Sequence, residues 1–330
     1  MPAISVVIPL YNKGPYIGRA LDSILAQTFQ DFEVIVVDDG STDNGAEVVR
    51  RFDDPRIRLI QQENRGVSAA RNRGVEAACA ELIAFLDADD EWLPEHLKTI
   101  RRLREEYPEA GLYATAYFIC TTPGRLEKTK LGAIPASPWE GKIPSYFLAA
   151  ALSNMPISTS SVGIPKDIFR GIGGFHVGLN MHEDSELWGK IALKYPIAFS
   201  WQEGSVYHLM GNSRLCHQIA SFEHPFVKIA EEAIKEGQVP ALILDDLKEY
   251  IAKLKISFAI RKILLGQSES TRNILMNCET KRFRRDKYQW LFISILPRTM
   301  FLNLWKTKRW LSEFIFKIDY TQDPWEKWIK

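Results

Sequence analysis

Paired cysteines and long apolar runs are both missing from this sequence of 330 residues. The four cysteines are scattered along the chain, at Cys79, Cys120, Cys216 and Cys278. Their spacing indicates neither a zinc site nor a disulfide framework, and free thiols fit a reducing cytoplasm. The longest apolar stretch, 290–305, is interrupted by Pro297 and Arg298, so we expect no membrane-spanning helix.

Several diagnostic motifs are missing as well. No Gly-x-Gly-x-x-Gly follows the first predicted strand, which argues against a dehydrogenase. The glycine-rich, lysine-bearing signature of nucleotidyltransferases is absent, and no motif indicates nucleic-acid binding. The chain opens on a strand-like run, Ile4–Ile8, without the basic segment and cleavage site of a signal peptide. We therefore expect a cytoplasmic protein that does not bind nucleic acid.

The net charge of +1 conceals a strong asymmetry. Residues 281–330 carry 12 Lys and Arg against 5 Asp and Glu, whereas residues 1–280 carry 30 basic and 36 acidic residues. The same final segment contains five of the nine tryptophans, namely Trp290, Trp305, Trp310, Trp325 and Trp328. A basic and aromatic segment is typical of peripheral contact with an anionic membrane. The alternative is an aromatic face that packs on the rest of the chain or on a second copy in a homodimer.

Short apolar runs alternate with helical patterns in the first hundred residues. The predicted strands are Ile4–Leu10, Glu33–Asp39, Ile57–Gln61 and Leu82–Asp87. The predicted helices are Tyr16–Gln27, Asn44–Phe52, Gly66–Ala78 and Leu93–Tyr107. This alternation predicts an α/β fold with a mostly parallel sheet, in which ligands bind at the carboxyl ends of the strands.

The pattern is less regular from Gly111 onward. We expect strands and short helices there, over Leu112–Cys120, Ile157–Ile164, Pro165–Gly171 and Asp184–Lys194, with a loop or hairpin over Thr121–Trp139. Long helical patterns follow after Phe222, over Phe226–Glu236 and Ala241–Leu265 among others. The change in character predicts a domain boundary near 215–225.

Two adjacent carboxylates, Asp38 and Asp39, come at the end of the second predicted strand. The turn that begins at Gly40 accounts for the polar residues after it, but not for two charges at the end of a buried strand. We interpret these carboxylates as acceptors for hydrogen bonds from a nucleotide base or ribose.

The fourth predicted strand runs into a second acidic motif, Asp87-Ala88-Asp89. Mg²⁺ and Mn²⁺ prefer oxygen ligands, and such an ion on a diphosphate neutralises the charge of a leaving nucleotide. One of these aspartates can bind metal while the other holds ribose or orders the loop. We interpret Asp90 and Glu91 as a solvated helix start, with Asp90 as its cap.

A glycine-rich segment, Gly171–Phe175, is followed eight residues later by Glu183 and Asp184. A hydroxyl group that acts as a nucleophile requires a positioned base, and a carboxylate beside such a loop fits that role. We select Asp184 as the base. The alternative is a helix whose first turn is merely enriched in acidic residues.

Two single side chains complete the candidate set. Arg71 lies five residues into the predicted helix that opens at Gly66, and a helix N-terminus favours phosphate. His208 follows a later predicted strand, where it is either structural or a contact for metal or pyrophosphate.

Together these motifs resemble family 2 glycosyltransferases with the GT-A fold, closely over about residues 1–100 and more loosely over 155–210. The resemblance implies nucleotide contacts at Pro9, Tyr11, Asn12, Asp38, Asp39, Gly66, Arg71 and Asp87. It implies acceptor contacts at Gly173, Gly174, Phe175, Glu183 and Trp188. It also implies that Asp89, with His208, binds Mn²⁺ or Mg²⁺, and that Asp184 deprotonates the acceptor.

The implied architecture is a Rossmann-like mixed sheet flanked by helices over 1–220, followed by a mainly α-helical region over 221–330. The first part divides into a nucleotide-binding half, 1–110, and an acceptor half, 111–220. One departure from the family is the loop 175–182, which lacks the acidic residue that many relatives carry soon after the phenylalanine.

The implied reaction is inverting transfer of a sugar from a nucleotide-sugar, most commonly a UDP-sugar, to a glycan or lipid-linked saccharide. Such transfer serves polysaccharide or glycoconjugate biosynthesis, and it would take place at the inner face of the cell membrane. Because the sequence has no Gln-x-x-Arg-Trp motif of processive polymerases, we expect transfer of single sugars. The alternatives are a nucleotidyltransferase and a catalytically inactive nucleotide-sugar-binding protein, although an inactive protein would be expected to have lost Asp89 or Asp184.

Overall fold

The computed structural model describes residues 1–122, 124–153, 156–179, 181–209, 222–265 and 267–296. The strands are β1 Ile4–Leu10, β2 Phe32–Asp39, β3 Ile57–Gln62, β4 Leu82–Phe85, β5 Glu91–Trp92, β6 Leu112–Thr122, β7 Arg125–Lys128, β8 Glu140–Lys142, β9 Val162–Pro165 and β10 Ile197–His208. The helices are α1 Gly14–Leu25, α2 Gly45–Arg50, α3 Val67–Ala77, α4 His96–Glu106, α5 Tyr146–Leu152, α6 Lys166–Ile172, α7 Glu183–Ala192, α8 Phe226–Lys235, α9 Ala241–Leu264, α10 Ser268–Met276 and α11 Arg284–Ile293.

All ten strands form one sheet, in the order β3-β2-β1-β4-β9-β6-β10-β5, with β7 beside β6 and β8 beside β10. The first four strands are mutually parallel where they pair. β9 runs antiparallel to both of its neighbours, β4 and β6. The sheet is therefore mixed, as the resemblance implies, and its first half is parallel, as the alternation of strands and helices in the first hundred residues predicts.

Helices cover both faces of the first half of the sheet. β1 and β4 are almost wholly buried because each of their faces packs on a helix layer, as in other parallel sheets. Gly74 lets α3 lie directly on β1, since a Cβ atom at this position would come within 2.3 Å of a methyl carbon of Val7. The carboxyl ends of the strands are held in place by this close packing.

The second half departs from the predicted elements at several short segments. The strand expected over Ile157–Ile164 begins only at Val162, because Thr159–Ser161 form a 3₁₀ turn. Hydrogen bonds from Ser161 to the Ser158 carbonyl close that turn, a local pairing that competes with a strand ladder. The short elements β5, β8 and α5 were not predicted, since two to seven residues carry little periodicity.

The C-terminal helices share a hydrophobic core with the second half of the sheet. The ring of Phe226 in α8 stacks on that of Phe147 in α5 at 5.9 Å, and Tyr250 of α9 lies against both rings. The predicted boundary near 215–225 falls largely on 210–221, outside the described residues. Among the described residues, none of the helices combines the length and the apolar character that crossing a bilayer requires.

Candidate active site

The two carboxylates at the end of β2 are buried and hydrogen-bonded within the protein. Asp38 accepts hydrogen bonds from the backbone N–H of Ser41 at 2.9 Å and from the Gln61 side chain at 3.0 Å. Asp39 accepts from the backbone N–H of Gly66 at 2.8 Å, where α3 begins, and from two further donors. The two side chains hold the β2 turn and the start of α3 in one arrangement, and their contact with a nucleotide stays a prediction.

The end of β1 lies next to this turn. Asn12 adopts a left-handed conformation, with φ of 51°, and its side-chain oxygen accepts the backbone N–H of Thr42 at 2.8 Å. Tyr11 exposes about half of its surface (48%), while Pro9 is half-buried in β1. Of these predicted nucleotide contacts, Tyr11 presents the largest free surface.

The Asp-x-Asp motif after β4 meets a lysine that the sequence analysis did not select. The ammonium nitrogen of Lys13, just before α1, lies 2.8 Å from an Asp89 carboxylate oxygen. Arg19 of α1 donates to the Asp89 carbonyl oxygen at 2.5 Å. The motif is therefore surrounded by positive charge, which suits a site for an anionic group.

Asp90 is fully buried and does not cap a solvated helix, so that interpretation was wrong. Its two carboxylate oxygens accept hydrogen bonds from the Ser160 hydroxyl at 2.7 Å and from the backbone N–H of His208 at 3.1 Å. Helix α4 begins only at His96. Asp90 ties the Asp-x-Asp loop to the end of β10, because a carboxylate buried at this position must be satisfied by protein donors.

His208 lies beside the Asp-x-Asp loop, as a metal contact would require. Its Nε2 atom is 2.9 Å from a carboxylate oxygen of Glu91. This contact holds the imidazole in place, and binding of a metal by His208 stays a prediction.

Arg71 joins the donor and acceptor motifs through two ion pairs. Its guanidinium donates to Asp87 at 2.7 Å and to Glu183 at 2.9 Å, although the residue is only 3% exposed. Burial alone lowers the pKa of this guanidinium, but the charges of Asp87 and Glu183 outweigh that effect and raise it. Arg71 is thus a fixed cation that lies between two motifs nearly a hundred residues apart in sequence.

The glycine loop is fastened to α3 by a second side chain that the sequence analysis did not select. The Asn72 amide donates to the carbonyl of Phe175 at 2.8 Å and accepts its backbone N–H at 2.9 Å. Gly173 and Gly174 both have positive φ, at 94° and 67°. A side chain at Gly174 would be strained and would come within 2.8 Å of the Asn72 oxygen, which explains the glycine.

Two of the predicted acceptor contacts lie in the core instead. Phe175 and Trp188 are each 1% exposed, and their rings meet edge to face at 6.0 Å. Neither ring can offer a face to an acceptor in this arrangement, because α3, α6 and α7 pack around them. They hold the glycine loop against α7, which is a supporting role.

The predicted base, Asp184, lies in the first turn of α7 and is half-buried. One of its carboxylate oxygens accepts the backbone N–H of Ser185 at 2.6 Å. Burial, and then the charge of Asp184, raise the pKa of Tyr117 and Tyr250 above the ordinary value. The same two causes, burial first, raise the pKa of the Glu183 carboxyl, against the opposite effect of Arg71.

The donor atoms of this region fit a metal that is shared with a ligand. Among the described residues, no group of three or more His, Cys, Asp or Glu side chains is placed to hold an ion. Mg²⁺ in particular is usually bound by one or two carboxylates together with substrate phosphates. Asp89 would supply one such carboxylate, and binding of a metal at Asp89 stays a prediction.

The comparisons with known sequences agree with this geometry. Residues 5–161 match the family described as glycosyl transferase family 2. The chain is 42% identical over 105 residues to an uncharacterized glycosyltransferase, YibD, of Escherichia coli, covering 31% of this chain and 30% of the relative. It is 39% identical over 257 residues to an uncharacterized glycosyltransferase of Rickettsia felis, covering 74% of this chain and 41% of the relative. The matched regions thus span less than half the length of these relatives.

Solved structures show the same fold at low sequence identity. Staphylococcus aureus TarS (residues 1–349) in complex with UDP-GlcNAc has a TM-score of 0.60 at 21% identity, covering 91% of this chain and 83% of TarS. The mannosyltransferase PcManGT of Pyrobaculum calidifontis, in complex with GDP-Man and Mn²⁺, has a TM-score of 0.59 at 18% identity, covering 94% of this chain and 87% of PcManGT.

Proposed function

The chain belongs to glycosyl transferase family 2 through residues 5–161, and from this membership we propose that it is an inverting, metal-assisted glycosyltransferase. It moves one sugar from a nucleotide-sugar, with a UDP-sugar as the first candidate, to a hydroxyl of a glycan or lipid-linked saccharide. The complexes of TarS with UDP-GlcNAc and of PcManGT with GDP-Man support a nucleotide-sugar donor.

The double ion pair of Arg71 is the observation on which the proposal depends most. It brings Asp87, from the donor motif, and Glu183, from the acceptor motif, to the same guanidinium. Asp39 lies at the start of the helix that carries Arg71. Carboxylates from three distant parts of the sequence therefore contact one segment, with Asp39 at the start of α3 and Asp87 and Glu183 at Arg71 within it. This arrangement supports a single donor-and-acceptor pocket at the carboxyl ends of the strands.

On the donor side, Tyr11 would contact the base, and Arg71 with Lys13 would hold negative charge near the diphosphate. Asp89 would ligate a divalent cation, with Asp87 and His208 close by. When bound, such an ion neutralises the charge that develops on the leaving nucleotide. The displaced Lys13 ammonium would then be available to the phosphates.

On the acceptor side, the Asp184 carboxylate would accept the proton of the attacking hydroxyl. The hydroxyl oxygen then bonds to the anomeric carbon as the bond from that carbon to the nucleotide breaks, so the configuration inverts in one step. Glu183, fixed by Arg71, would set the position of α7 and hence of the base.

Binding and product analysis test this proposal together. A thermal-shift panel of nucleotide-sugars with and without Mn²⁺ should show one or a few donors that raise the unfolding temperature only when the ion is present. Proton NMR of the product formed from an α-linked donor should show a β-linkage. A product that retains the α configuration would contradict the single displacement.

We also propose that the C-terminal region contacts anionic lipid at the inner face of the cell membrane. The side chains of Tyr288, Phe292 and Ile295 are exposed and share one face of the region around α11, with Arg284 one turn earlier. Apolar rings beside basic residues suit a lipid interface. Trp290 was wrongly assigned to that surface, because it is 2% exposed and packs in the core, and 297–330 lie outside the described residues.

Flotation with vesicles tests the membrane contact. We expect the full chain to float with vesicles of anionic phospholipid and much less with zwitterionic ones, since basic residues contribute to binding. Phe292→Glu should reduce flotation, whereas Leu242→Glu, at an exposed leucine on α9, should not. Equal flotation of both variants would remove α11 from the proposed contact.

A further inference from the structure

A second polar cluster lies beside the Glu183-Asp184 pair, on the side where the C-terminal helices pack. It consists of His182, Ser185, His224 and Arg261, which come from the start of α7, the segment before α8, and α9. The rings of His182 and His224 lie 4.6 Å apart. None of these residues belongs to the motifs that define the donor site.

His224 is satisfied by the protein. Its Nδ1 atom accepts the backbone N–H of Phe226 at 3.2 Å, so the proton of the neutral ring must be on Nε2. Nε2 then donates to the Ser185 hydroxyl at 3.0 Å. The ring is only 3% exposed and forms a wall of the cluster, fixed by two hydrogen bonds.

His182 differs, because one of its ring nitrogens has no hydrogen-bond partner among the described residues. The residue adopts a left-handed conformation, with φ of 69°, just before α7. Its Nε2 atom is buried and makes no hydrogen bond among the described residues. Burial, and then the charge of Arg261, lower the pKa of His182 to about 4.

Arg261 differs from the other described arginines of the site in having no carboxylate partner among the described residues. Its side chain is half-buried, and its Nε atom is buried without a hydrogen-bond partner there. Its positive charge is one of the causes, after burial, that lower the pKa of His182 and His224. A partly buried guanidinium that lacks an anion is costly, and the cost is recovered when an anion binds.

We propose that Arg261 and His182 form a binding site for a phosphoryl group carried by the acceptor. The planar guanidinium can bind two phosphate oxygens, and the imidazole Nε2 can donate to a third. His182 directly precedes Glu183 and Asp184, so a phosphoryl group held here places the rest of the acceptor at the base. The inference rests on the proposed function, since it names the class of acceptor for that same base.

The site is separate from the place of the donor diphosphate. Arg71 lies between the two, and its guanidinium is already paired with Asp87 and Glu183. The Glu183 carboxylate is thereby held by Arg71, which limits its repulsion of an anion at Arg261. A phosphorylated acceptor and a nucleotide-sugar can thus be bound at the same time.

Inorganic phosphate is the probe for the first experiment, with the full chain saturated by the nucleoside diphosphate that the thermal-shift panel identifies. Arg261→Gln should weaken phosphate binding about ten-fold or more in calorimetric titrations, because a charged hydrogen-bonding pair is lost. Arg282→Gln, at an exposed arginine of the same region, is the matched control and should bind as the wild type does. Potassium chloride at equal ionic strength separates specific binding from screening.

Histidine NMR gives a readout that a structural role would not change. Phosphate should raise the pKa of His182 by about one unit or more from its low starting value, since a nearby anion favours the imidazolium. The resonance is assigned by its loss in His182→Gln. In Arg261→Gln the phosphate-induced change should disappear.

The two proposals fail in distinguishable ways. If no nucleotide-sugar binds the wild type, the glycosyltransferase proposal fails, whatever phosphate does. If a nucleotide-sugar binds but phosphate affinity and the His182 pKa response are the same in wild type and Arg261→Gln, the phosphoryl site is refuted. Lower stability of Arg261→Gln with unchanged phosphate affinity would refute it too, because Arg261 would then be structural.

Discussion

The buried carboxylates on the donor side and the buried basic groups on the acceptor side of this molecule are satisfied by the protein to different degrees. On the donor side, Asp38, Asp39 and Asp90 are buried and accept hydrogen bonds from nearby backbone or side chains. On the acceptor side, His182 Nε2 and Arg261 Nε are buried and have no hydrogen-bond partner among the described residues. The first arrangement fixes the loops without a ligand, and we propose that a ligand completes the second. Under the proposed function, the fold itself would preorganise the donor side, whereas the acceptor side would depend on the acceptor for its remaining hydrogen bonds.

The sharpest way to test this division is to remove the base alone. Asp184→Asn should lower kcat by about 10²–10⁴-fold, the usual contribution of a general base, because an amide cannot accept the proton. Donor binding, measured by calorimetry, should stay within about two-fold, since the donor side does not depend on this carboxylate. Asp245→Asn, at an exposed aspartate of α9, is the control and should be fully active. Full activity of Asp184→Asn would show that the base is another residue.

Replacing Arg71, which pairs with Asp87 and Glu183, should destabilise the folded protein. Arg71→Met leaves Asp87 and Glu183 without their shared cation, and breaking a buried ion pair in this way costs about 3–5 kcal/mol of unfolding free energy. Arg73→Met removes an exposed arginine two residues away and should cost less than about 0.5 kcal/mol. Urea denaturation of both variants measures the difference. Equal stability would mean that Arg71 is not the structural bridge described above.

Acid should destabilise both sides through buried neutral histidines. Burial lowers the pKa of His96 on α4 to about 3 and that of His182 to about 4, while the pKa of His224 is also lowered. Their ordinary value is near 6.5, so the unfolded chain binds more protons below that pH. The stability they contribute is complete above about pH 6.5 and is lost as pH falls toward their folded pKa values.

At pH 5 the effect of His96 alone is about 2 kcal/mol. His96→Gln should therefore flatten the dependence of unfolding free energy on pH between 7 and 5, as measured by urea denaturation at each pH. His176→Gln, at an exposed histidine, is the control and should leave the slope unchanged. An unchanged slope in His96→Gln would show that His96 is charged in the native protein.

The smallest expected change in stability concerns the contact between α8 and α7, the helix that carries Asp184. A methyl group at Gly189 of α7 would come within 2.6 Å of the Phe226 ring, so Gly189→Ala should cost about 1–3 kcal/mol through overpacking. Phe226→Leu in the same chain should recover part of the loss. Gly171→Ala, in an exposed turn of α6 with open space around it, should instead stabilise slightly. Thermal unfolding of the three variants measures the pattern.

The sequence predicted where the donor-side motifs lie in the fold because these motifs are local, whereas their contacts with a nucleotide stay predictions. Each one ends a buried strand, and the alternation of strands and helices places those ends at one edge. Lys13 and Asn72 were missed, although both lie beside selected residues, because a lysine after a strand and an asparagine inside a helix are unremarkable alone. Their roles depend on Asp89 and on Phe175, which are distant in sequence.

The acceptor side was predicted less well for physical reasons. Trp188 was predicted to contact the acceptor because it follows the Glu-Asp pair, and it is buried, with its ring against Phe175 in the core. Arg261 carries no motif at all, and its position next to His182 follows only from how α9 packs. Contacts between helices that are distant in sequence are set by tertiary packing, and they leave no periodic pattern in the sequence.

The core that α5, α7, α8 and α9 share has a consequence for engineering. A chimera of two relatives joined near residue 220 would take Phe147 from one parent and Phe226 and Tyr250 from the other. The packing surfaces around these three rings would then no longer match. A functional chimera should instead exchange everything from α5 through α9 as one segment. The junctions then fall between β8 and α5 and between α9 and α10, outside the stack of aromatic rings.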